Sequence, residues 1–107
     1  MALNISNNRD LDMLECNGNQ LTALDITNNT KLRLLTCYMN KINATEMEKV
    51  VNALPDLMGN YEGSFTPIQT GGIPTDENIC TKAQVTTAKS KNWRVTNAGT
   101  GLDYEGS

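Results

Sequence analysis

The chain has 107 residues, a length suited to one modest hydrophobic core. Only 38% of the residues are hydrophobic and 5% aromatic, which excludes a thick core built around large rings. A net charge of −3 argues against a nucleic-acid partner, and the absence of His removes the commonest general base and transition-metal ligand.

The first signal is a repeat. LNISNNRD from Leu3 lies over LDITNNTK from Leu24, and LDMLECNGNQL from Leu11 lies over LRLLTCYMNKI from Leu32, all at an offset of 21. One unit reads LxxLxCxxNxLxxLDIxxNxx, and a fixed period in this range is the signature of a solenoid. Leu14 and Cys16 alternate on one side of a short strand, so stacking at ~4.8 Å places Leu14 on Leu35 and Cys16 on Cys37 in a buried ladder. Leu24 and Ile26 alternate likewise, which predicts a second short strand on the opposite wall. Asn19 and Asn40 sit where the chain leaves the strand, with Asn8 and Asn29 at the other corner. Their amides can bond backbone groups that a bend leaves unpaired.

At Ile42 the period breaks and helix grammar begins. Asn43 is the expected N-cap, Glu46 its returning partner and Ile42 against Met47 a hydrophobic staple, with Thr45 and Glu48 as an alternative cap. Met47, Val50, Val51 and Leu54 form one apolar stripe, and Pro55 stops the helix. The same grammar recurs downstream. Thr81 caps, Gln84 returns, Cys80 staples to Val85, and the helix should run to Ser90 or Lys91 with Asn92 in the left-handed position beyond it. SFTPIQT from Ser64 and WRVTN from Trp93 are strand candidates, separated by loops rich in Gly, Pro, Asn and Asp. The fold class is therefore α/β. Residues 3–42 make regular 21-residue repeats and 43–107 two larger turns in which a helix replaces the outer strand, with Phe65, Trp93 and Val95 closing the end, all in one domain.

The pattern resembles a short, irregular leucine-rich repeat with a ladder Cys, similar to C-terminal regions of secreted or surface proteins of gut anaerobes. TKAQVTTAKSKNW and the terminal YEGS are similar to the closing segment of those proteins. The resemblance implies an extracellular or cell-surface setting and a role in protein binding or adhesion. MALNISNN has neither the basic start nor the apolar stretch of a secretory leader. No polar cap precedes Leu3, so the chain reads as part of a longer protein, and the Leu3–Ile5 end is expected to be a contact surface, with a homodimer as one outcome.

Candidate chemistry is sparse. Three cysteines, with no CxxC pair, suggest neither zinc nor a disulfide framework, and Cys16 and Cys37 read as buried thiols. The Asp25, Thr27, Asn29 spacing belongs to the repeat and not to a calcium loop. Glu46 with Glu48 and Asp76 with Glu77 are expected in helix first turns, where acids favour the dipole. The sequons at Asn4, Asn28 and Asn43 arise cheaply in an Asn-rich repeat. No nucleophile–base pair or phosphate loop is present, so no enzyme, cofactor or metal is expected. No apolar run approaches the ~20 residues needed to span a bilayer.

The remaining candidate is the outward face of the strands. If Leu14 and Cys16 point in, Met13, Glu15 and Asn17 point out, and the next turn presents Leu34, Thr36, Tyr38 and Met39. Thr66, Ile68, Arg94 and Thr96 are expected to extend it. Leu34, Tyr38 and Met39 would form an exposed apolar patch suited to a protein partner, with a glycan as the alternative ligand.

Overall fold

The computed structural model describes residues 3–107. Its elements run β1 (Met13–Glu15), β2 (Leu34–Thr36), α1 (Ala44–Ala53), β3 (Gly63–Ile68), α2 (Lys82–Ser90) and β4 (Trp93–Asn97). The strands form a four-stranded sheet in chain order, every neighbouring pair parallel.

The register carries the interior from strand to strand. Leu14 pairs with Leu35, Leu35 with Phe65, and Phe65 with Val95. The first pair is 21 residues apart in sequence and the other two are each 30 apart, so the two helix-containing connections have the same length. Leu35, Phe65 and Val95 are buried, while Leu14 at the sheet edge is half-buried. Cys16 and Cys37 follow the ladder inward, Cys16 N–H donating to the Thr36 carbonyl and Cys37 N–H to that of Thr66.

Pro67 lies in a strand with neighbours on both sides, where a missing N–H would break the ladder. A register shift between Phe65 and Ile68 absorbs it. That shift also turns Ile68 inward, where it is buried, and removes it from the outer face expected from simple alternation.

Both helices start where their caps dictate. Asn43 Oδ1 accepts from Glu46 N–H at 2.9 Å, while the Glu46 carboxylate turns away from the cap to Lys49 Nζ, also at 2.9 Å. Thr81 and Gln84 form the complete reciprocal box, at 3.2 Å from Gln84 N–H to Thr81 Oγ1 and 2.9 Å from Thr81 N–H to Gln84 Oε1. The α1 stripe Met47, Val50 and Val51 is buried, as are Gln84, Val85 and Ala88 of α2. Asn92 follows α2 with φ +66°. Past the end of α1, Lys91 Nζ donates to the carbonyls of Val51, Asn52 and Leu54 at 3.2, 2.7 and 3.0 Å. A cation thus closes the negative end of α1 from the far end of α2.

Two expectations differ. The segment through Leu24 and Ile26 alternates as anticipated, with both side chains buried and Asp25 exposed, yet it is not a strand. A ladder needs paired neighbours, and among the described residues no strand lies beside this segment. The adjoining corner is held by a side chain: Asn29 Nδ2 donates to the carbonyls of Ile5 and Asn8 at 3.1 and 2.9 Å, while its buried Oδ1 has no partner among the described residues. Asp76 and Glu77 do not begin a helix; α2 starts later, at Lys82. Asp76 holds the preceding loop, accepting the N–H groups of Met39 and Gln69 on one oxygen and of Asn78 on the other, each at 2.9 Å.

The two ends of the sheet differ. Along β4, Thr96 bridges antiparallel to Asp103, Asn97 N–H donates to the Leu102 carbonyl and Tyr104 N–H to that of Val95, so the C-terminal segment covers that edge. Among the described residues nothing pairs with the outer edge of β1.

Candidate functional site

The in-register strands array their outward side chains in rows. One row is Met13, Leu34, Ser64 and Arg94, and the next is Glu15, Thr36 and Thr66, with Thr96 joined to Thr66 by a 2.8 Å hydroxyl hydrogen bond. The face grades from apolar at β1–β2, through hydroxyls, to charge at β4. Met13 is 54% exposed, whereas Leu34, Thr36, Thr66 and Thr96 are half-buried and Arg94 is exposed. Arg94 Nε donates to Asp103 Oδ1 at 2.8 Å, a contact that binds the guanidinium proton still more firmly. No helix lies over this face: the buried sides of α1 and α2 belong to the same core as Leu35, Phe65 and Val95.

The eight residues read from the sequence thus fall into four places. Met13, Glu15, Leu34 and Thr36 are neighbours on β1 and β2. Asn17 and Tyr38 lie just past the strand ends, where Gly18 N–H donates to the Tyr38 carbonyl at 3.0 Å, and both are half-buried. Met39 leaves the face altogether. It adopts φ +59°, its N–H is held by Asp76, and its side chain lines a cleft of about 360 Å³ with Asn19, Lys41, Pro74 and Glu77. Arg94 stands at the opposite edge, beside a hollow of about 450 Å³ that it shares with Trp93, Lys89 and Asp103.

Leu34, Tyr38 and Met39 are therefore half-buried and not one exposed patch. The most exposed large apolar side chains are Ile73, Tyr61, Leu102 and Met58, all in loops. Ser64 completes the first row and was legible from its alternation with Phe65. Asp103, the partner of Arg94, carries no such signal, since it arrives from the C-terminal segment.

The thiols offer little chemistry. Burial pushes Cys16 up to about 11 and Cys80 up to about 12. Cys37 is raised furthest, by burial first and then by the negative charges that Cys16, Cys80 and Asp76 would present to its thiolate. Nucleophilic cysteines need the opposite shift. All three are free. Among the described residues no three Cys, Asp or Glu side chains converge to hold a metal ion, and no helix is long and apolar enough to cross a membrane. No family model matches the chain, and no curated protein or solved structure does either.

Proposed function

We propose that this chain is a noncatalytic protein-binding module, a short solenoid of the leucine-rich-repeat kind that contacts its partner through the outer face of the sheet. The observation that carries the reading is the register: four parallel strands in chain order hold their outward side chains in rows, with no helix over them. Such an array is rigid before binding, so little conformational freedom is lost when a partner docks. Its apolar end at Met13 and Leu34, flanked by Tyr38, has the composition of an interface centre, and Glu15, Arg94 and the threonines supply a polar rim. The repeat LxxLxCxxN and its resemblance to surface proteins of gut anaerobes support an extracellular setting and an adhesive role.

The test is capture from host-cell surface extracts, comparing the parent chain with Met13→Glu/Tyr38→Ala on the face and Tyr61→Ser/Ile73→Ser in the loops. Loss of capture by the face variant alone, with its thermal transition unchanged, supports the reading. Capture that survives in the face variant and fails in the loop variant contradicts it, as does no capture by the parent.

A second reading, a closing unit whose own surface binds nothing, is favoured by one observation: the C-terminal segment covers the β4 edge through Asp103 and Tyr104. The two readings separate in the same experiment, because a closing unit captures nothing.

A further inference from the structure

The buried corner asparagines work across turns as well as within them. Asn40 Nδ2 donates to the carbonyl of Cys16 in the turn before, at 3.1 Å, and to that of Cys37 in its own, at 2.9 Å, while its Oδ1 accepts from Leu21 N–H at 3.1 Å. Asn29 donates to two carbonyls of the turn before, Ile5 and Asn8. Asn40 thus reads the presence of a preceding strand end, and Asn29 that of a preceding corner.

Asn19 and Asn8 hold the same two positions one period earlier. Asn19 Nδ2 reaches its own Cys16 carbonyl at 2.9 Å and that of Asn17 at 3.5 Å, and among the described residues its oxygen accepts nothing. Asn8 makes no side-chain hydrogen bond among the described residues, and both asparagines are exposed. The interior shows the same asymmetry. Leu11 and Leu14 are half-buried, whereas their counterparts Leu32 and Leu35 have no exposure. The β1 edge is unpaired, and Met13 stands proud beside it.

We propose that the β1 end is a docking site for one further polypeptide turn of the LxxLxCxxNxLxxLDIxxNxx pattern, added parallel and in register, with Asn19 and Asn8 as the residues that recognise it. The incoming turn supplies a carbonyl from its strand end to Asn19 Nδ2 and, from beyond its corner, an N–H to Asn19 Oδ1. Its corner supplies two carbonyls to Asn8, and its leucines cover Leu11 and Leu14. A second copy of this chain does not fit. Head-to-tail addition would bring up a β4 edge already occupied by Asp103 and Tyr104. A two-fold pairing of β1 edges would be antiparallel and would offer neither asparagine its partners.

The proposal rests on the stacked-turn reading of the fold. That reading has its own test in the Leu14, Leu35 and Phe65 contacts, which can stand while the addition fails. The experiment places a second copy of residues 3–23 between Ala2 and Leu3 and compares the extended chain with the parent, each with and without Asn8→Ala/Asn19→Ala.

The expected result is a higher urea midpoint, with labelling of Cys16 by a thiol reagent slowed at least about tenfold, toward the rate of Cys37. The asparagine pair is near-silent in the parent and reverses the gain in the extended chain. An unchanged midpoint with unchanged Cys16 labelling overturns the proposal, as do equal effects of the asparagine pair in both backgrounds. An extended chain that loses protection of Cys37 also counts against it. A concentration-dependent dimer of the parent in which Cys16 becomes protected gives the edge to a second copy and overturns it as well.

Discussion

Asn40 and Asn78 perform the same task one level apart. Asn78 Nδ2 donates to the carbonyls of Cys37 and Pro67 at 2.8 and 2.9 Å, and its Oδ1 accepts from Ile42 N–H at 2.9 Å. In each case one buried amide ties the ends of two adjacent strands to the chain that leaves the corner. Removing Asn40 leaves the Leu21 N–H without its acceptor, and removing Asn78 the Ile42 N–H, each worth about 1–3 kcal/mol if water cannot reach it. The Cys16 carbonyl keeps Asn19 as donor, and the Cys37 carbonyl keeps whichever of Asn40 and Asn78 remains. Asn40→Ala and Asn78→Ala should each lose about 1–3 kcal/mol of stability in urea unfolding, and Asn19→Ala, whose oxygen accepts nothing among the described residues, well under about 1 kcal/mol. Equal losses at all three positions would show that the asparagines do not act across turns.

The position of Asn78 shows where sequence reading stops. Asn19 and Asn40 are one period apart and announce each other. Asn78 is hidden because the loop held by Asp76 intervenes, so no fixed spacing leads to it. The corner at Leu57 and Asn60 was legible and overlooked. Asn60 N–H donates to the Leu57 carbonyl at 2.9 Å, as Asn8 does to Ile5 and Asn29 to Ile26, and Asn92 Nδ2 then donates to both Leu57 and Asn60 at 3.1 Å. LMGN repeats the apolar-x-x-Asn of ISNN and ITNN. The helices and their caps could be read because each depends on neighbours within a few residues, and the Leu14–Leu35 step of the ladder because the 21-residue period announces it. The outer face could be read at β1 and β2 and at Thr66, Arg94 and Thr96, but not in full. The shift at Pro67 buries Ile68, and Arg94 is set by Asp103 arriving from the C-terminus.

The hydrophobic ladder makes a graded prediction. Leu35 is wholly buried between Leu14 and Phe65, so Leu35→Ala should cost about 3–5 kcal/mol. Leu14, half-buried at the open edge, should cost about half as much on the same substitution. Chemical denaturation of the two variants measures both.

The closing turn is sensitive at Gly63. A Cβ there would sit 2.7 Å from Trp93 Cδ2 and from Leu57 Cδ1, both in the interior. Trp93 cannot retreat without losing the 2.8 Å hydrogen bond from its Nε1 to the Pro55 carbonyl. Gly63→Ala should therefore destabilise by about 1–3 kcal/mol and red-shift the emission of the single tryptophan as its ring meets water. Native emission at unchanged stability would mean the pocket is looser than this geometry.

The thiols set an alkaline limit. Burial raises Cys16 from 9.0 to about 11, so the folded chain keeps a proton that the unfolded chain gives up. The contribution to stability is full below pH 9 and is lost as pH rises from 9 toward 11, with Cys80 and Cys37 shifted in the same direction. Stability should fall above pH 9 by up to about 1.4 kcal/mol per pH unit for each buried thiol. Cys16→Ala should flatten the decline between pH 9 and 11. A decline identical in that variant would assign the effect to other groups.

The central claim, that equivalent side chains of successive turns lie directly on one another inside the sheet, is tested most directly by proton–proton Overhauser contacts in solution. The account predicts cross-peaks between the methyls of Leu14 and Leu35, between Leu35 and the Phe65 ring, and between that ring and the methyls of Val95. A spectrum of the folded chain in which Leu35 contacts neither Leu14 nor Phe65 would contradict it.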